Sequence, residues 1–137
     1  MKQTALQHYR SIGVQSGLTE ASSHQLISML FAGVADRLAA ARGAIERGEV
    51  GRKGELISSA IAIIDNLRAS LDHEQGQEIA GNLAALYDYI EQGLVQANLE
   101  SDLARLREIS ALVHEIRSAW DAISGTVGTV GTVGESQ

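Results

Sequence analysis

The stretch Gly76 to Asn98, GQEIAGNLAALYDYIEQGLVQAN, decides the fold. Its bulky apolar residues Ile79, Leu83, Leu86, Ile90, Leu94 and Ala97 recur at intervals of three and four, which aligns them on one helical face. Beside that stripe stand Ala80, Ala84 and Tyr87, followed by Glu91 and Asn98. Small residues next to a tyrosine leave a shallow groove on the shoulder of a helix. The pattern predicts a helix whose main stripe enters a core and whose shoulder stays open to a second helix.

Three further segments carry the same periodicity. Leu26, Leu30, Val34, Leu38, Ala41 and Ile45 form a stripe behind Ser22 and Gln25, which read as a capping box, and Met29 and Phe31 widen the apolar arc. Gly48 offers the left-handed turn that closes this helix. Ile57, Ala60, Ile64, Leu67 and Leu71 define a second helix from about Arg52 to Leu71, with Leu56, Ile61 and Ile63 adding apolar surface. Asn98 is expected to cap the organising helix, and Ser101 with Asp102 to open the last one. Leu106, Ile109, Val113, Ile116, Trp120 and Ile123 give that helix its stripe. Amphipathic helices joined by short turns bury their stripes most simply as an all-α, antiparallel four-helix bundle.

Two segments flank the bundle. Leu6, Tyr9 and Ile12 share one side of a short extra N-terminal helix, followed by a loose linker bounded by Gly13 and Gly17. So short a helix needs docking to persist, either permanently or as a displaceable latch. Residues 125–134 read GTVGTVGTVG, and a glycine at every third position argues for a disordered tail. The expected division is one bundle domain over residues 1–124, with residues 1–17 as the N-terminal segment, and a flexible tail over 125–137.

Composition narrows the function. The chain has 137 residues, of which 45% are hydrophobic, 20% charged and 4% aromatic; proline and cysteine are absent. One helical domain with an ordinary core fits these values, and disulfides and thiolate metal sites are excluded. The net charge is −6, with lysine only at Lys2 and Lys53, so binding to nucleic acid or an anionic membrane is not expected. No secretory signal follows Met1-Lys2, and the uncharged run from Ala21 to Ala35 is too short and too polar to span a bilayer. These features predict a cytoplasmic protein.

No catalytic constellation is visible, and no cofactor is expected. His8, His24, His73 and His114 lie outside HExxH and ExxH spacings, so a metal site is not expected. The Gly-Thr-Val repeat lacks the lysine and the following helix of a phosphate-binding loop. Two alternatives to a binding protein stand open: a phosphoryl carrier using His114, as four-helix carriers do, and a purely structural helical dimer.

Four stretches then resemble one family. Ala21-Ser22-Ser23-His24-Gln25-Leu26-Ile27-Ser28-Met29-Leu30-Phe31-Ala32-Gly33 is similar to the T-A-S-P-x-x-L-x-x-M-L-Y-x-G segment of the flagellar secretion chaperones called FliS. Ile64 to Leu71 resembles their I-x-x-L-x-x-x-L. Asn82-Leu83, Leu86-Tyr87, Tyr89 and Ala97-Asn98 match N-L-x-x-L-Y-x-Y and the closing A-N, and Ile116-Arg117-Ser118-Ala119-Trp120 resembles L-R-x-A-W. The match covers about residues 1–124. Glu20 replaces the usual threonine, Ser23 the proline and Phe31 the tyrosine, while Tyr9 stands for the N-terminal tyrosine.

The resemblance implies a non-enzymatic chaperone, monomeric or weakly dimeric, whose client is the C-terminal segment of flagellin. The flagellar export gate and other flagellar regulators are implied as further partners. Combined with the shoulder of the organising helix, it points to Met29, Phe31, Ala80, Ala84, Tyr87 and Glu91 as the client groove. Leu6, Tyr9 and Ile12 are then a latch that occupies the groove when flagellin is absent.

Overall fold

A computed structural model describes residues 19–133, with side chains from 23 to 123. The predicted N-terminal helix, with Leu6, Tyr9 and Ile12, lies outside the described residues. Four helices follow in order: α1 (Thr19–Glu46), α2 (Val50–Ala69), α3 (His73–Glu100) and α4 (Leu103–Val133). The described residues contain no strand. The described residues fall into two units, one of residues 19–29 with 118–133 and one of residues 30–117.

The larger unit carries segments of all four helices, and its side-chain pairs run in opposite directions along neighbouring helices. Arg37 Nε donates to Ser59 Oγ at 2.6 Å between α1 and α2. Lys53, early in α2, reaches Asn98 near the end of α3, while Arg68, late in α2, reaches Asp88 nearer the middle of α3. Tyr89 of α3 donates to Glu108 of α4. The bundle is antiparallel, as the short turns require.

Val34, Leu38 and Ala41 from α1, Ile57, Ile64 and Leu67 from α2, Ile90 and Leu94 from α3, and Leu106, Ile109 and Val113 from α4 are buried. Each large side chain so placed contributes roughly 1.5–3 kcal/mol relative to leaving it in water. Gly48 closes α1 with φ +72°, the left-handed turn read from the sequence.

Other helix ends depart from expectation. Helix α1 opens at Thr19, so Ser22 lies inside it rather than at its cap. Asp72 caps α3 by accepting the Gln75 N–H at 3.0 Å. Gln77, at φ 44° and ψ −112°, then breaks the first turn from the remainder, so the uninterrupted helix begins close to the Gly76 read from sequence. Asn98 is not the left-handed residue; Ser101 is, at φ 48° and ψ 44°, and its N–H donates to Ala97 O. Asp102, not Ser101, caps α4, accepting the Arg105 N–H. The cause is Lys53, whose ammonium donates to Asn98 O at 2.7 Å. A carbonyl satisfied from another helix lets α3 run on past Asn98.

Helix α4 runs to Val133, within the Gly-Thr-Val repeat. Lengthening an existing helix requires no new nucleus, so glycines that would prevent an isolated helix each cost only about 1 kcal/mol there.

Helices α3 and α4 approach closely at Gly93. A methyl group there would lie 2.7 Å from Ile109 Cγ1, inside contact distance. Alanine favours a helix over glycine by about 1 kcal/mol, while overpacking costs about 1–3 kcal/mol. Ile109 is fully buried and β-branched, so it has little room to yield. Gly93→Ala is therefore expected to destabilise the fold by about 1–2 kcal/mol net. A urea midpoint equal to or above that of the wild type would show the approach to be slack.

In the smaller unit, His24 of α1 and Trp120 of α4 stack with ring centroids 4.3 Å apart and planes 10° from parallel. Trp120 Nε1 donates to His24 O at 3.2 Å, and His24 Nε2 lies 3.0 Å from Trp120 O. Two sequence motifs that are remote in the chain thus meet as one clasp.

Candidate functional site

The rotation of α3 about its own axis decides which residues can meet a partner. The buried side carries Ala80, Tyr87, Ile90, Gly93, Leu94 and Ala97. Of the residues expected to form a groove, Ala80, Tyr87 and Phe31 are therefore core residues, not open surface. Burial pushes the Tyr87 hydroxyl up to about 12. Conversely, Ile79 is 69% exposed and Leu86 is also exposed, although both belong to the stripe expected to face inward.

The physical reason is size. Alanine and glycine let α3 settle deep against its neighbours, and Tyr87 fills the space beside them. Ile79 points the same way as the buried Ala97, five turns on, and is exposed by its place near the start of the helix.

Ala84 and Leu83 are half-buried at the edge of this face. Met29 is 52% exposed and lies in the smaller unit. Glu91 is half-buried and borders a shallow open depression of about 350 Å³ with Gln92, Val95, Gln96 and Leu99. Leu99 is 81% exposed and Val95 about half. Sequence reasoning missed Val95 and Leu99 because they stand off the main stripe. The remaining signal was two aliphatic residues one turn apart on a face otherwise made of glutamines.

Charge collects beside this depression. Arg68 of α2 lies 3.0 Å from Asp65, 2.5 Å from Asp88 and 3.0 Å from Glu91. The Glu91 contact is a proximity of charges only: its buried Oε2 has no hydrogen-bond partner. Burial, reinforced by Asp65, pushes the Glu91 carboxyl up to about 7 against the opposing pull of Arg68. On the other side of α3, Arg105 Nη1 donates to the Tyr89 hydroxyl at 3.1 Å and to Glu108 at 2.9 Å, and the guanidinium lies over the Tyr89 ring. Hydrogen bonds from Tyr89 and Arg105 hold the Glu108 carboxyl below its ordinary value.

Among the described residues no group of His, Asp and Glu is arranged to hold a metal ion. His114 is exposed. No helix among the described residues is long and apolar enough to cross a membrane.

These features define an all-helical bundle protein with apolar side chains exposed along its third helix. The family of the flagellar protein FliS matches residues 5–127, and the chain belongs to it. It is 46% identical over 120 residues to the flagellar secretion chaperone FliSB of Pseudomonas aeruginosa, covering 88% of this chain and 95% of that one. Identity to the flagellar secretion chaperone FliS of Salmonella typhimurium is 47% over 122 residues, covering 88% and 90%. The corresponding Bacillus subtilis chaperone is 32% identical over 116 residues, covering 85% and 86%.

Proposed function

We propose that this protein is a cytoplasmic export chaperone that holds the C-terminal segment of flagellin, prevents its premature polymerisation and hands it to the flagellar secretion apparatus. The carrying observation is α3, which in a chain of this family exposes Val95 and Leu99 on its outer face and Leu86 and Ile79 at the margin and start of its inner one. An amphipathic segment that folds as it binds would cover such residues with its own apolar stripe. The buried Ala80 and Tyr87 then position α3 from within, while Ala84 and Glu91 stay accessible to the client; Met29, exposed in the smaller unit, is proposed as a separate contact. Coupled folding of this kind buries roughly 1,000–3,000 Å² and costs a few kcal/mol in ordering, which keeps a tight complex reversible.

Leu6, Tyr9 and Ile12 are proposed as a latch on the same face, competing with the client.

Calorimetric titration with a synthetic flagellin C-terminal peptide, followed by circular dichroism, tests both parts. Saturable binding is expected, with more helix in the mixture than in the separate components. Deleting residues 1–15 is expected to raise affinity, because a competitor is removed. No binding at tens of micromolar peptide would refute the client assignment. Unchanged or weaker binding by the truncated chain would refute the latch.

A further inference from the structure

The seam between α2 and α3 contains an arrangement that client binding does not call for. Three carboxylates, Asp65, Asp88 and Glu91, surround the single guanidinium of Arg68. Asp65 and Arg68 face Glu91 from α2, and Asp88 lies one turn before it on α3. Arg68 is already engaged by hydrogen bonds to Asp65 and Asp88. Glu91 therefore receives charge attraction without a directed bond, and its Oε2 is buried without a hydrogen-bond partner. A buried acceptor left in that state is costly, and a like-charged neighbour raises the cost.

A single proton removes the like-charge cost. Asp65 and Glu91 both lie 3.0 Å from the Arg68 guanidinium, and a protonated Glu91 carboxyl can donate to its neighbour Asp65, an acid–carboxylate bond that would join α3 to α2. The quartet then carries one excess negative charge instead of two.

We propose that Asp65, Arg68, Asp88 and Glu91 form a proton-operated lock: uptake of one proton at Glu91 fastens α2 to α3, and its loss releases Glu91 towards the depression it borders. The lock is a property of the helix seam and stands whether or not flagellin is the partner.

Burial and Asp65 place the Glu91 transition at about 7, against 4.5 for an unperturbed glutamate. The folded value is the higher one, so the folded state holds the extra proton. The stabilisation is complete at pH values below that of the unfolded group and is lost as the pH rises through the folded value. The chain is thus more tightly fastened on the acidic side of neutrality, the reverse of an ordinary salt-bridged glutamate.

Two measurements on the full chain test the lock. Carbon-13 NMR of labelled glutamate carboxyls, with Glu91→Gln identifying the resonance, should show Glu91 titrating within about one unit of pH 7. A midpoint near the unperturbed value of 4.5 overturns the proposal. Urea denaturation at constant ionic strength should show the wild-type folding constant falling about tenfold more than that of Glu91→Gln between about pH 6 and about pH 8.5. The glutamine supplies a permanent N–H donor to Asp65, so it mimics the locked state. An equal fall in both proteins overturns the lock. If Glu91→Gln does not fold, Asp65→Asn serves instead. Removing the like charge and the charged acceptor should lower the Glu91 midpoint, and an unmoved midpoint overturns the proposal.

Discussion

A chain carrying Val95→Asp and Leu99→Asp together is expected to bind a flagellin C-terminal peptide about a hundredfold more weakly than the wild type, with its melting temperature unchanged. Covering one exposed aliphatic side chain with an apolar partner contributes roughly 1.5–3 kcal/mol. Two aspartates lose that gain and add the penalty of burying charge beside Asp88 and Glu91. A total loss of about 2.7 kcal/mol, which corresponds to the hundredfold change, is therefore a conservative expectation. The fold should be indifferent, because both side chains are exposed already. Ile79→Asp, at the other end of the same helix, divides the surface further. Full affinity in the double variant would place the client elsewhere, and a loss confined to Ile79→Asp would move it to the first half of α3.

Lys53→Ala is expected to destabilise the fold by about 3 kcal/mol, a fall of roughly 10–15 °C in melting temperature. Only 5% of Lys53 is exposed, and its ammonium donates to both Asn98 O and Ser101 Oγ at 2.7 Å. It stands at the carboxyl end of α3, where backbone carbonyls lack helical partners and the helix dipole favours a positive charge. Hydrogen bonds to a charged group contribute about 1.5–3 kcal/mol each, and alanine leaves both acceptors unmet while emptying the space of the aliphatic stem. Lys53→Met separates the two effects. It keeps most of the stem and removes the donor, so about half to two-thirds of the loss should remain. A methionine variant as stable as the wild type would assign the whole contribution to packing and none to the cap.

The helices were legible because their determinants are local. Spacings such as Ile57–Ala60–Ile64–Leu67 and Leu106–Ile109–Val113 leave little choice of element, and Gly48 could be read as a left-handed turn from its identity alone. Rotation was less legible. Ile79 and Ala80 are adjacent, and either can head a periodic stripe. Ala80 is buried and Ile79 is not, although Ile79 points the same way as the buried Ala97, because burial depends on how far the opposing helices reach along α3. Lys53 was noticed as a rare lysine and nothing more, since a cap delivered from one helix to the end of another has no spacing rule. The same residue misdirected the reading of Asn98. Once its carbonyl was bonded, the left-handed turn could fall three residues later, at Ser101. The place of Glu91 on the shoulder of α3 follows from its spacing, but its crowding by Asp65 and Asp88 depends on the register of α2 against α3.

The stack of His24 on Trp120 carries a consequence for the order in which the molecule matures. It joins residues 96 positions apart, and closing so long a span costs conformational entropy that no local contact repays. The α1–α2 and α3–α4 pairings span far shorter intervals, as with Arg37 to Ser59 and Tyr89 to Glu108. During synthesis the α1–α2 hairpin can therefore assemble before Trp120 is available. The opening turns of α1, including the segment that carries Met29, gain this anchor only afterwards. A stretch made late therefore fixes one made early.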